Sequence, residues 1–202
     1  MKLLDYLHQN GVLPRRAQRL ATLLADVIPQ DATVLDVGCG DGYVDTLLLE
    51  QRPDLKIHGV EVSSRTPTQF PVTYFDGLTL PFRDDSFDVV MFVDVLHHTE
   101  DPMVLLREAV RVARRGIAIK DHLLQGILAG ARLKFMDYVG NARHGVALPF
   151  NYWTRQQWRN AEDRLHLSKK NELNHLRLYP PLLDLIFGAN LHFIAFFDRS
   201  EL

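Results

Sequence analysis

Short apolar runs bounded by turn residues occur at Thr33 to Val37, Lys56 to Glu61, Val72 to Phe75, Phe87 to Val93 and Gly116 to Lys120, and each reads as a strand. Between them the apolar positions change to a period of three or four. After Pro14 they fall at Ala17, Leu20, Leu24 and Val27, with Pro29 ending the helix; Val44, Leu47 and Leu48 mark a second helix that runs to about Gln51; Val104, Leu105, Ala109 and Val112 mark a third, from Pro102 to about Ala113. A short helix over residues 1 to 13, ending near Asn10-Gly11, precedes these. The run Phe87 to Val93 is apolar apart from Asp88, as expected of a strand covered on both faces. Strands alternating with helices predict a doubly wound α/β sheet, whose ligands bind at the carboxyl ends of the strands.

The first strand runs directly into Gly38-Cys39-Gly40-Asp41-Gly42, a turn with glycine at every second position that opens the next helix. Such a turn lets a ligand lie against bare backbone near the positive end of a helix dipole. The dinucleotide fingerprint is GxGxxG, whereas here the spacing is GxGxG and Asp36 and Asp41 add negative charge. Two anions repel a pyrophosphate and suit a ligand with a cationic ammonium and sulfonium, which points to S-adenosylmethionine (SAM). Glu61, at the end of the second strand, lies 23 residues after Gly38, close to the interval at which an acid meets ribose hydroxyls.

VLDVGCGDG, then VEVS, FDGLTLPFRDDSFDVV and VLHHTEDP, in that order, resemble the successive motifs of the class I SAM-dependent methyltransferases called type 11, which include quinone-biosynthesis methylases. The resemblance covers about residues 32 to 120. It implies a Rossmann-like, doubly wound, seven-stranded sheet, mostly parallel with an antiparallel last strand, and helices on both faces. It also implies the Gly38, Gly40 and Gly42 turn around the methionine portion, Glu61 on the ribose hydroxyls, and Asp76 on the adenine amino group with the Gly77 and Leu78 backbone nearby; Asp36, Val62 and Val93 are further candidate cofactor contacts. One segment departs from the pattern: only Val62 to Pro71 connect strands two and three, with Pro67 and Pro71 inside, too few for a full crossover helix. That leaves part of the sheet for another element or subunit to cover.

Beyond residue 120 the resemblance fades. Leu124, Ile127, Leu128, Ala131, Phe135 and Val139 recur at helical spacing up to Gly140-Asn141, a helix that completes the core or acts as a lid, with membrane-surface contact a minor third reading. Thr154 is an N-cap for a helix with Gln157, Trp158, Ala161 and Leu165 inward. Leu165 to Leu173 and Leu191 to Phe197 are expected as the last two strands; the apolar stretch Tyr179 to Phe187 between them forms a short helix or offers a homodimer surface. The whole is expected as a single domain over residues 1–202, divided into N-terminal capping helices (1–30), a SAM-binding core (31–120), a substrate or lid region (121–164) and final strands (165–202).

Composition narrows the chemistry. The formal net charge is −2 and the arginines are mixed with acids, so no basic surface for nucleic acid is expected. No run of 18 apolar residues occurs and the first 16 residues lack a cleavable apolar core, so neither a membrane span nor secretion is expected. The single cysteine, Cys39, excludes an intrachain disulfide and fits a reducing cytoplasm. It sits in the turn, where a small residue is needed, with no base beside it.

Methyl transfer from a sulfonium needs alignment and exclusion of water; a base helps when the acceptor is a hydroxyl or an acidic carbon. His97, after the fourth strand, is the candidate base, and His98, Asp121, His122, His144, Tyr152 and Trp153 are candidate acceptor contacts. No HxxxH or CxxC spacing marks a metal site, and none is expected. These residues predict SAM-dependent methyl transfer to oxygen or carbon of a small, partly hydrophobic molecule. A non-catalytic SAM-binding regulatory or assembly protein is the alternative from another class, and a nucleotide-linked oxidoreductase is the rival among enzymes.

Overall fold

The computed structural model describes residues 12–62, 70–141, 149–188 and 190–199; the expected helix over residues 1 to 13 falls almost wholly outside them, as does His144. In chain order the elements are α1 (Leu13–Val27), β1 (Thr33–Val37), α2 (Tyr43–Gln51), β2 (Lys56–Glu61), β3 (Val72–Tyr74), β4 (Phe87–Val93), α3 (Pro102–Val112), β5 (Ala113–His122), α4 (Ala129–Asn141), α5 (Arg155–Arg164), β6 (Ser168–Asn174) and β7 (His192–Asp198). They form one seven-stranded sheet of order β3-β2-β1-β4-β5-β7-β6. The first five strands are parallel, and β7 runs antiparallel to both β5 and β6.

Alternation along the strands divides the core in two. Val34, Ile57, Val89, Met91 and Ala118 pack with α1 and α2, while Leu35, Val60, Val90, Phe92 and Ile117 pack with α3 and α5. Burying one such side chain contributes ~1.5–3 kcal/mol, which is why the strands with apolar residues on both faces occupy the centre of the sheet. The α1 end is tied to α2 by Arg52, whose guanidinium donates to the carbonyls of Ala25, Ile28 and Pro29 at 2.7, 2.9 and 3.0 Å.

Several features differ from the sequence pattern; the fifth strand runs over Ala113–His122, longer at both ends than its apolar run. The helix expected from Leu124 begins at Ala129: Leu123 and Leu124 donate their amides to Leu191 and Trp153 carbonyls, and Gly126 and Leu128 then turn through positive φ. Leu165 closes α5 instead of opening a strand, its amide bonded to Ala161, and the chain reverses at His166. Gln157 is exposed and not inward, because its side chain accepts from the Thr154 amide while its own amide donates to the Thr154 hydroxyl, a capping box. At the short β2–β3 connection, residues 63–69 lie outside the described set. Phe70 covers the sheet there, within 3.0 Å of where a Cβ on Gly59 would lie.

Candidate functional site

The carboxyl ends of β1, β2, β3 and β4 meet along one edge of the sheet, and the glycine turn is stitched to β2. Gly38 and Cys39 donate to the Val60 carbonyl at 2.8 and 3.3 Å, and Gly40 donates to Glu61 Oε2 at 3.0 Å. Gly38 has φ +78°, and a Cβ there would lie 2.7 Å from Val95 Cγ2. Gly40 has φ +61°, and its Cβ direction opens onto free space, so bare backbone faces outward. Glu61 is buried with its other oxygen accepting from the Val62 amide at 2.8 Å. Val62 and Leu78 are each 58% exposed, with Gly77 between: its Cβ position is 3.3 Å from Val62. Asp76 is exposed, and its carboxylate accepts from the Leu78 and Thr79 amides at 2.8 and 2.7 Å, which holds its pKa below the usual range.

Asp36 departs from the expected picture of two anions at the mouth. It is buried on β1 facing Asp45 of α2, and each carboxyl has an Oδ1 with no other partner. Burial, reinforced by Asp45 and Glu61, pushes Asp36 well up, and burial raises Asp45 to about 6. Both shifts favour the protonated acids over the carboxylates, so the acidic face of the crevice belongs to Glu61 and the exposed Asp41. Burial also raises the Cys39 thiol, which disfavours its nucleophilic thiolate form.

Beyond β4 and β5 the fold gathers a buried polar cluster. Asp94 follows β4 at φ +58° and pairs with both Arg16 of α1 and Lys120 of β5. Lys120 is fully buried and also reaches His192 Nδ1 at 3.4 Å; His192 Nε2 donates to the Phe187 carbonyl at 2.9 Å, which leaves Nδ1 as the acceptor. His97 lies between two carboxylates, Nδ1 at 2.6 Å from Asp121 Oδ1 and Nε2 at 3.5 Å from Asp137 Oδ2. Tyr152 donates to Asp137 at 2.5 Å, the Leu96 amide donates to Asp121 at 3.0 Å, and His122 Nδ1 is 3.2 Å from His97 Nδ1. Three cations, Arg16, Lys120 and His97, thus face three carboxylates, Asp94, Asp121 and Asp137.

The pKa directions agree with this balance. Burial would lower His97, but Asp121 and Asp137 raise it to about 10. Burial, then the charge on His97, lowers His122 to about 4. Burial lowers Lys120 to about 8 against the pull of Asp94, while Lys120 and Arg16 overcome burial to hold Asp94 well below the usual carboxylate range. His98 is half-buried, its ring centroid 4.0 Å from that of His97 and tilted by 45°, and it is lowered by burial and by that neighbour's charge.

Of the residues singled out in the sequence, His97, His98, Asp121, His122 and Tyr152 come together here. His97 is 2% exposed, between Asp121 and Asp137, whereas His98 is half-buried. Trp153 stands apart: its ring meets Trp158 at 5.0 Å and lines a cleft of about 300 Å³ with Asp101, Met103 and Arg164. Arg16, Asp94, Lys120, Asp137 and His192 were not legible as site residues. The donor atoms of Asp94, His97, Asp121 and His122 lie within 4.8 Å of one another despite the absence of metal-ligand spacing in the sequence. Arg16 and Lys120 already occupy Asp94 and compete with a cation there.

Residues 35–119 match the model of the family described as a methyltransferase domain, type 11. The chain is 26% identical to the 27-O-demethylrifamycin SV methyltransferase of Amycolatopsis mediterranei, over 83% of this chain and 75% of that protein. It is 30% identical to the 2-methyl-6-phytyl-1,4-hydroquinone methyltransferase of a Synechocystis strain, over 69% of this chain, and spans only 42% of that relative. The fold is shared with a methyltransferase solved in complex with the Haloferax volcanii Trm112 methyltransferase activator, with a TM-score of 0.68, 17% identity, and 96% and 93% of the two chains covered. With the strand order, the glycine turn and Glu61 in place, residues 35–119 are similar to the type 11 methyltransferase domain, on a sheet shared with solved methyltransferase structures.

Proposed function

We propose that the chain moves the methyl group of SAM to an oxygen or carbon atom of a small, partly hydrophobic acceptor. The observation that carries this reading is the joint between Gly40 and Glu61: outward-facing backbone beside a fixed carboxylate, at the carboxyl ends of adjacent strands. When bound, SAM supplies an electrophilic methyl on a sulfonium. Glu61 has lone pairs left to accept from ribose hydroxyls, Val62 and Leu78 offer apolar walls to the adenine with Asp76 at its amino edge, and the Gly38 to Gly42 turn and Val93 line the methionine portion. Asp36 supports the turn from beneath as a protonated acid.

His98 is the group that takes a proton from the acceptor, because it is neutral at pH 7 and the more open of the pair. His97 is a positioning residue: held as a cation by Asp121 and Asp137, it fixes the His98 ring and keeps it unprotonated. The relatives' acceptors, a 27-O-demethylrifamycin and a phytyl hydroquinone, support an acceptor with hydroxyl and apolar parts. The test is transfer of label from methyl-labelled SAM to a panel of hydroquinones and phenols. Wild-type turnover that falls about 100-fold or more in His98→Ala supports the reading; no labelled product from any acceptor, with SAM bound, would leave a non-catalytic binding protein.

A further inference from the structure

The chain leaving β4 is anchored on both sides of Val95. Before it, Asp94 stands at φ +58°, its amide donating to the Lys120 carbonyl at 2.9 Å and its carboxylate shared by Arg16 of α1 and Lys120 of β5. After it, the Leu96 amide donates to Asp121 at 3.0 Å, and the His98 amide closes back on the Val95 carbonyl at 2.9 Å. The Val95 side chain is thereby held against the glycine turn. A Cβ on Gly38 would meet Val95 Cγ2, Cγ1 and Cβ at 2.7, 3.1 and 3.5 Å.

Gly38, Gly40 and Gly42 stand at φ of 78°, 61° and 70°, and glycines lose more conformational freedom on ordering than any other residue. Walls that fix such a turn before its ligand arrives lower the ordering cost of binding. β2 is one wall, through the amides of Gly38, Cys39 and Gly40 donated to the Val60 carbonyl and Glu61. Val95 is the other, and its place depends on Asp94. The charged ends of Arg16 and Lys120 are both turned to that carboxylate, although they come from α1 and β5 and not from the turn.

We propose that Asp94 is a positioning residue for the donor: locked by Arg16 and Lys120, it sets Val95 against Gly38 and so keeps the glycine turn in the shape that takes SAM. α1 then contributes to donor affinity through Arg16. The same lock joins the two halves of the crevice, since Lys120 precedes Asp121 and His122 while Val95 precedes Leu96 and His97. This role rests on SAM lying against the glycine turn, as proposed above.

The experiment is calorimetric titration with SAM of the full chain as wild type, Asp94→Asn, Arg16→Gln, Val95→Ala and the double variant Arg16→Gln/Val95→Ala. Arg16→Gln is the mildest break of the lock, because 23% of that side chain is exposed. Each single variant should raise the Kd by about fivefold or more. The double variant should bind no more weakly than the weaker of its two singles, because Arg16 acts through Val95. Arg16→Lys keeps a cation for Asp94 and should bind SAM more tightly than Arg16→Gln. Arg52→Gln, at the far end of α2 from the turn, controls for lost stability: its melting temperature should fall while its Kd stays at the wild-type value. A wild type that does not bind SAM overturns the donor-site reading and this role with it. Where the wild type binds, an unchanged Kd in Asp94→Asn or Val95→Ala overturns the role of Asp94 alone. So do independent effects of Arg16→Gln and Val95→Ala that multiply in the double variant, no gain from Arg16→Lys over Arg16→Gln, or equal weakening by Arg52→Gln.

Discussion

Asp94→Asn tests the ion cluster through stability. Asparagine shares aspartate's tolerance for the left-handed φ of +58° at this position, so the variant keeps backbone and shape and removes only the charge. It leaves Lys120, fully buried, and Arg16, with 23% of its side chain exposed, without their common anion. Removing one partner of a buried pair costs ~3–5 kcal/mol, a ceiling here because Arg16 can rehydrate and Lys120 can release its proton. With Asp94 present Lys120 titrates at about 8, and buried lysines without a partner fall to about 5 to 6. At pH 7 the variant therefore gives up a proton that the native protein holds, which costs about 1.4 kcal/mol for the one unit between 7 and 8. Lost charged hydrogen bonds at Arg16 add about 1–2 kcal/mol after discounting for its exposure, and the total is about 2–4 kcal/mol.

The dependence on pH follows from the same groups. The lysine's folded pKa is higher with Asp94 than without, so the lysine part of the difference is absent above about 8 and grows as pH falls toward 6. Urea unfolding of both proteins at pH 6, 7 and 9 measures it. A loss below about 1 kcal/mol at pH 7, or the same loss at pH 6 and pH 9, would refute the account of Asp94 as the shared counter-ion of the buried Lys120 and the half-buried Arg16.

Gly38→Ala sets a Cβ 2.7 Å from Val95 in a left-handed conformation, so thermal unfolding should show a loss of ~1–3 kcal/mol, only part of which Val95→Ala restores because the backbone strain remains. His98 is lowered first by burial and then by the His97 charge; His97→Gln removes only the second, so the acid limb of the pH–rate profile should move part of the way up, and a limb that moves down would contradict the role of His97. Asp36 and Asp45 bind an extra proton in the folded state, so they contribute stability that is full below about 4 and declines as pH rises through about 6; Asp45→Asn should flatten that slope in urea titrations at pH 4.5 and 7.

The strands were the most legible part of the chain. β1, β2 and β4 start and end where their apolar runs do, because turn residues bound each run and both sheet faces are covered. The helix start near Leu124 was misread because leucines at helical spacing also suit a loop that pairs its amides with Leu191 and Trp153. Asp36 looked like charge at the mouth since nothing in the turn motif reveals Asp45 beneath it. The ion cluster draws on α1, β4, β5, α4 and β7, segments too far apart in sequence for any spacing rule. A local signal did exist: Lys120 ends the apolar run Ile117 to Ile119 and Asp94 follows five apolar residues, and a charge at the end of a buried strand must find a partner.

The central claim is that the Gly40–Glu61 joint holds SAM. Calorimetric titration of the wild type, Glu61→Gln and Glu61→Ala with SAM and with S-adenosylhomocysteine tests it directly. The account predicts binding of both by the wild type, a loss of tenfold or more in Glu61→Ala, about 1.4 kcal/mol or more, and an intermediate affinity in Glu61→Gln, which keeps one acceptor oxygen. Equal affinity in wild type and Glu61→Ala, with both proteins folded, would contradict it.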